Sequence, residues 1–200
     1  MIEPTDKIGN ITLYNADCME VMKQFKDKEF DLAIVDPPYG IDIAEWDKER
    51  PTDEYWEQLF RVSKNQIIFG GNYFTDYLYP TKSWVIWDKK MSHNANYSHA
   101  ELAWVSIKGI TRMFRYSATG GNADKKIHPT EKPIKLYKWL LQNYAKEGDT
   151  ILDTHFGSLS IGIACHDMGF ELTAIELDKD YYQMAKKRLL DYKNQLTIEF

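Results

Sequence analysis

The apolar run Leu32-Ala33-Ile34-Val35 passes straight into Asp36-Pro37-Pro38-Tyr39-Gly40, and this junction constrains the fold more than any other stretch. A run that short and rich in β-branched residues suits a strand buried on both faces. The two prolines fix φ and keep the residues before them extended, so the chain cannot turn directly into a helix. Asp36 is therefore predicted at the carboxyl end of a central strand, the edge at which open α/β sheets bind ligands. Pro37 and Pro38 hold Asp36 and the Pro37 carbonyl still, and Tyr39 adds a flat apolar ring. An acceptor pair beside a stacking ring is what an exocyclic base amine would need. The same residues also suit a plain rigid exit turn, so the rest of the chain decides between the two.

Strand and helix patterns alternate along that chain. Strands are expected at 11–15, 30–35, 66–69, 84–87, 101–107, 150–152 and 172–175. Residues 111–116 are expected to return on 101–107 as a hairpin after Gly109. Helices are expected from Cys18 to Phe25 with Asp17 as cap, from Asp53 with Thr52 as cap, and from Tyr73 to Tyr79 until Pro80. Further helices start at Pro133, run from Ser160 to Met168 before Gly169, and run from the Asp178 cap to Leu190. This alternation argues a mostly parallel sheet with helices on both faces. The polar stretches 41–50, 89–97 and 117–127 are expected as loops, the first lying over the site.

The chain has 200 residues, enough for one domain with a full core. Its two cysteines, Cys18 and Cys165, supply neither a disulfide framework nor four zinc ligands, which places the expected site of action in the reducing cytoplasm. No apolar run is long enough to span a bilayer, so no membrane partner is expected. The formal net charge of -5 argues against a simple non-specific nucleic-acid binder. An enzyme with a local basic rim is still compatible, because Arg112 and Arg115 precede a cluster of Lys125, Lys126, Lys132, Lys135 and Lys138.

Two further motifs follow. Asp153-Thr154-His155-Phe156-Gly157-Ser158-Leu159-Ser160 reads as the end of a strand, a small-residue turn and a helix start, a turn to which a ligand can approach closely. The next strand ends at Glu176, whose carboxylate could accept two ribose hydroxyls. Neither G-x-x-x-x-G-K-[ST] nor G-x-G-x-x-G is present. A nucleoside cofactor without phosphates fits this pattern, and S-adenosylmethionine is the common one. Between the two regions, His128-Pro129-Thr130-Glu131-Lys132-Pro133 precedes a helix, and Lys132 with the free helix N–H groups could hold a carboxylate.

D-P-P-Y, H-P-T-x-K-P and the D-x-x-x-G-S turn, in that order, resemble the β-class DNA amino-methyltransferases over most of the chain. The resemblance implies a Rossmann-like, mostly parallel seven-stranded sheet with one antiparallel strand and the catalytic half preceding the cofactor half. It implies methyl transfer from S-adenosylmethionine to the N6 of adenine or the N4 of cytosine in DNA. Asp36, Pro37, Pro38 and Tyr39 match the catalytic motif. The implied cofactor set is Asp17, Asp36, His128, Thr130, Lys132, Asp153, His155, Gly157, Ser158, Glu176 and Leu177. Tyr39, Lys89, Arg112 and Arg115 are the candidate substrate contacts. His155 stands where the family often has Phe, and Leu159 where it often has Gly.

With little room for a separate recognition domain, DNA would be read by loops 41–50, 89–97 and 117–127 or by a second subunit, so a homodimer stays open, as does pairing with a restriction enzyme. Asp36 and the Pro37 carbonyl would accept the amine N–H bonds and direct the nitrogen lone pair at the methyl group, without a covalent intermediate. Tyr39 would stack on the flipped base through its ring face, its hydroxyl playing no part. Asp in first position of the motif favours adenine. Cytosine N4, RNA or protein amides, and a non-catalytic binding subunit of the same fold are the alternatives.

Overall fold

The computed structural model describes residues 2–42, 44, 47–92, 94, 98–117 and 131–198. His128, Thr130, Lys125 and Lys126, and parts of all three predicted recognition loops, lie outside these residues. In chain order the elements are β1 (Asp6–Ile8), β2 (Ile11–Asn15), α1 (Cys18–Met22), β3 (Phe30–Val35), α2 (Asp53–Val62), β4 (Ser63–Phe69), β5 (Trp84–Asp88), β6 (Ala100–Val105), β7 (Arg112–Arg115), α3 (Ile134–Tyr144), β8 (Thr150–Asp153), α4 (Ser160–Met168), β9 (Glu171–Glu176) and α5 (Lys179–Ile198). Among the described residues no helix is long and apolar enough to cross a membrane.

The strands form one mixed sheet of nine, in the order β1-β2-β9-β8-β3-β4-β6-β5-β7. Seven strands with one antiparallel member were expected. The structure adds β1, which returns on β2 through Gly9 and contributes a single buried apolar residue, Ile8, too little for a periodic signal. Two strands, β1 and β6, oppose the rest. The expected hairpin between 101–107 and 111–116 does not form. β7 instead pairs in parallel with β5, Val85 to Arg112 through Asp88 to Arg115. Nor is 73–79 an α-helix. A 3₁₀ turn at Gly71–Tyr73 follows a left-handed Gly70, and the seven residues before Pro80 are too few to offset helix nucleation. Asp17 caps α1 as expected, accepting from the Met19 N–H at 2.8 Å, whereas Thr52 makes no side-chain cap bond to α2.

β3 explains why its run is wholly apolar. Leu32 and Ile34 belong to the core beneath α3, α4 and α5, with Leu136, Leu140, Ile161 and Leu189. Ala33 and Val35 belong to the core beneath α1 and α2, with Val21, Met22, Trp56 and Leu59. A strand covered by helices on both faces has no polar side to show.

The chain leaves β3 towards β4 on one side, whereas β8 leads to β9 on the other. The sheet therefore switches direction between β3 and β8, and a crevice opens beyond their carboxyl ends. Ala33 is level with Leu152, and Asp153 with Ala174, which carries Asp36, the turn after Asp153 and Glu176 to one edge.

Candidate active site

A cavity of about 740 Å³ occupies that edge, a size that suits a cofactor with part of a second ligand. Its wall runs from Glu176 and Leu177 past Gly157 and His155 to Asp36, and on to Lys89 and Glu101.

Asp36 uses both carboxylate oxygens. Oδ1 accepts the Tyr39 hydroxyl at 2.6 Å, and Oδ2 accepts Nζ of Lys132. The Tyr39 hydroxyl therefore holds the carboxylate, a task not foreseen for it. One face of its ring stacks on Tyr73 at 4.9 Å and 17°. Gly70 lies so close that a Cβ there would come within 2.2 Å of the ring, and its φ of +66° also favours glycine. Asp47 closes the turn from below. It is 0% exposed, and it accepts the Tyr39 N–H at 2.5 Å and the Gly40 and Ile41 N–H groups at 3.2 Å each. This stretch was expected as a loop lying over the site. Among its described residues Asp47 buttresses the turn after Asp36, and Arg50 fastens the far end to Asp76 at 2.6 Å.

Lys132 is 3% exposed and lies between two carboxylates, Asp36 and Glu101, with Glu101 Oε2 at 3.2 Å. Burial alone would lower its pKa, but the two carboxylates outweigh that and raise it, so it stays an ammonium. Glu101 Oε1 is 2.7 Å from Lys89. Burial pushes the Glu101 pKa up, yet Lys132 and Lys89 hold it below the usual value. The anion that Lys132 meets here is the protein's own.

The other flank relies on burial. Asp153 is 2% exposed and lies behind the wall, where its Oδ1 accepts the His155 N–H at 3.0 Å. Burial raises its pKa to about 8 against that bond. Burial also pushes His155 down to about 4 and the Cys18 thiol up to about 12, leaving a neutral ring and an inert thiol. His155 Nδ1 is 2.9 Å from Thr154 Oγ1, which meets the Tyr55 hydroxyl at 2.7 Å. Glu176 accepts the Gly157 and Asp178 N–H groups at 2.9 Å each, and burial raises its pKa despite them.

Leu159 fills the left-handed position before α4 with φ 55°, a conformation that costs a leucine about 1–2 kcal/mol and a glycine nothing comparable. It is nevertheless buried, and Gly162 leaves room for it, since a Cβ at 162 would come within 2.7 Å of Leu159 Cγ. Arg188, from α5, binds the Ser158 carbonyl at 2.9 Å and Glu131 at 2.7 Å, joining the turn to the segment that carries Lys132.

The cavity wall gathers Asp17, Asp36, Pro37, Pro38, Tyr39, Lys89, Lys132, His155, Gly157, Ser158, Glu176 and Leu177. Arg112 and Arg115 do not join it. They sit on edge strand β7, Arg112 bonded to Asn143 at 3.2 Å and Arg115 to Asp88 at 3.0 Å. The described members of the basic cluster are also dispersed: Lys132 is buried, Lys138 pairs with Asp167, and Lys135 lies over the Tyr116 ring. Sequence reasoning missed Asp47, Glu101 and Arg188. Asp47 is one acid among several in a polar stretch, and no spacing in the sequence ties Glu101 or Arg188 to the motifs.

The family model for DNA methylases of the N6/N4 type matches residues 72–187. The type II methyltransferase M.HpaI of Haemophilus parainfluenzae is 24% identical over 227 residues, covering 87% of this chain and 72% of its own. The crystal structure of the M1.HpyAVI–SAM complex superposes with a TM-score of 0.68 at 24% identity, covering 89% of this chain and 99% of the other. PvuII DNA methyltransferase, cytosine-N4-specific, gives a TM-score of 0.67 at 14% identity, covering 96% and 94%.

Proposed function

The chain belongs to the N6/N4 DNA methylase family, and from that premise we propose that it is an S-adenosylmethionine-dependent DNA methyltransferase acting on the N6 amine of adenine. One observation carries the reading: a carboxylate fixed by a Pro-Pro-Tyr turn shares a single cavity with a glycine turn and a strand-end glutamate.

The residues present fit the cofactor. Glu176, at the end of β9, would take the ribose hydroxyls, Leu177 would face the adenine, and the Gly157-Ser158 turn would lie along the nucleoside. The cofactor supplies an electrophilic methyl group on a sulfonium. Asp36 and the Pro37 carbonyl accept the N–H bonds of the target amine and orient its lone pair. These contacts strengthen as charge develops on nitrogen, so they favour the transition state over the bound ground state. Tyr39 orients Asp36 and, with Tyr73, offers aromatic surface to a base taken out of the stack. His128 and Thr130 belong to the cofactor side of this proposal, and Lys89, Arg112, Arg115 and loops 41–50, 89–97 and 117–127 to DNA recognition within one domain of 200 residues. A cytoplasmic setting belongs to the same proposal, and a bacterial one accords with the Haemophilus parainfluenzae relative.

The test is single-turnover methylation of unmodified bacterial DNA, with the nucleosides identified by mass spectrometry. N6-methyladenine is expected, and Asp36→Ala should lose about 10²–10³ in rate while its affinity for S-adenosylmethionine stays near that of the wild type. N4-methylcytosine would overturn the choice of base. Near-normal transfer by the Asp36 variant would overturn the mechanism.

A further inference from the structure

Lys132 poses a problem for the reaction just proposed, on which this inference rests. Its ammonium sits on the carboxylate that must favour positive charge on the target nitrogen. A cation a few ångströms from a developing cation opposes it, strongly so where water is excluded. The ammonium also takes one of the two oxygens on which the amine would bond.

The structure holds a second seat for the ammonium. Glu101 reaches the cavity from β6, and its Oε2 lies 3.2 Å from Lys132 Nζ. Among the described residues that oxygen is buried and meets no hydrogen-bond geometry, although the ammonium lies within ion-pair distance. The other oxygen, Oε1, is held by Lys89 at 2.7 Å, which fixes the carboxylate with its second acceptor towards Lys132. A buried carboxylate oxygen that an adjacent ammonium does not fully bond is costly to keep, and it offers that ammonium a better bond than it now makes there.

We propose that Glu101 is a positioning residue for methyl transfer: it takes over the Lys132 ammonium when the target amine bonds to Asp36, and it cancels the field of that ammonium at the reacting nitrogen. Lys132 then serves Asp36 in two ways. Before the base enters, it holds the carboxylate in place. Once the base is bound, it turns to Glu101 through a small rotation about its stem. No bond to carbon forms or breaks in this exchange, and Glu101 touches neither the methyl group nor the base.

The experiment compares wild type with Glu101→Gln and Glu101→Asp. The probes are isotope-labelled S-adenosylmethionine and unmodified bacterial DNA, read as single-turnover rate, and calorimetry of S-adenosylmethionine alone. Glu101→Gln keeps the shape and removes the charge. It should slow transfer by about 10²-fold, the scale of a misplaced reacting group, with cofactor affinity within about twofold of wild type. Glu101→Asp keeps the charge and should recover a large part of that loss. A Glu101→Gln rate within about threefold of wild type overturns the inference, and so does an equal loss in both variants, because charge would then be irrelevant. Loss of cofactor binding in Glu101→Gln overturns it too, since Glu101 would then serve the fold or the cofactor rather than Asp36. A wild-type protein that methylates no DNA base would instead sink the functional reading beneath it.

Discussion

The two flanks of the cavity keep their carboxylates by opposite means. Around Asp36 each acid is matched: Asp36 by Lys132 and Tyr39, Glu101 by Lys89, Asp47 by three backbone N–H groups. Among the described residues Asp153, His155 and Glu176 form no ion pair, and burial shifts the groups towards neutrality, with Asp153 raised to about 8 and His155 lowered to about 4. Under the proposed function the difference has a use: the acceptor for an amine must be held still, whereas a wall beside a nucleoside needs shape. Burying unpaired charge there would cost far more than burying neutral groups.

Cutting the charged flank at its base should give the largest effect. Asp47→Ala leaves three backbone N–H groups of the turn after Asp36 without their acceptor. A loss of roughly 3 kcal/mol of stability is expected, since each buried donor left unmet costs about 1–3 kcal/mol and water repays some of it. Transfer should fall along with it. Urea unfolding and single-turnover rates check both, and a variant with unchanged stability would mean that the buttress carries no strain.

The neutral flank can be sharpened with Asp153→Asn. The folded pKa of Asp153 lies above the unfolded value of 3.8. Between about pH 4 and pH 8 the unfolded chain therefore releases a proton that the folded chain keeps, and stability declines as pH rises through that window. Asparagine cannot titrate, and its side-chain oxygen can still accept the His155 N–H. The variant should be the more stable protein at pH 8–9, with a flatter profile from about pH 4 upward, as read by thermal unfolding. A wild-type profile already flat there would show that Asp153 is ionised in the folded state.

The smallest expected effect is Tyr39→Phe. It removes one hydrogen bond to Asp36 and keeps the ring on Tyr73. A net loss of about 0.5–1.5 kcal/mol, or a few-fold to about tenfold in rate, is expected, with cofactor affinity unchanged. No change in rate would return the role to the ring face alone.

Much of this arrangement is determined by sequence. Val35-Asp36-Pro37-Pro38 ends a strand because β-branched residues favour it and two prolines forbid a helix. The Asp153–Ser158 turn and Glu176 follow from short-range patterns of the same kind, as does the Asp17 cap. These are local interactions, and the residues that make them lie within a few positions of each other. The sequence misjudged the sheet's edges, where β1 is too short for periodicity and β7 chooses β5 over its nearer neighbour β6. The tertiary structure alone decided the partners of the charged side chains. Lys132 meets Asp36 from 96 residues away, Arg188 meets Glu131 from 57, and the described lysines of what reads as one patch take separate partners. Ion pairs carry no periodicity, and a carboxylate in the sequence has many candidate cations. Which cation it meets depends on which strands lie side by side and on which of those groups the fold takes out of water.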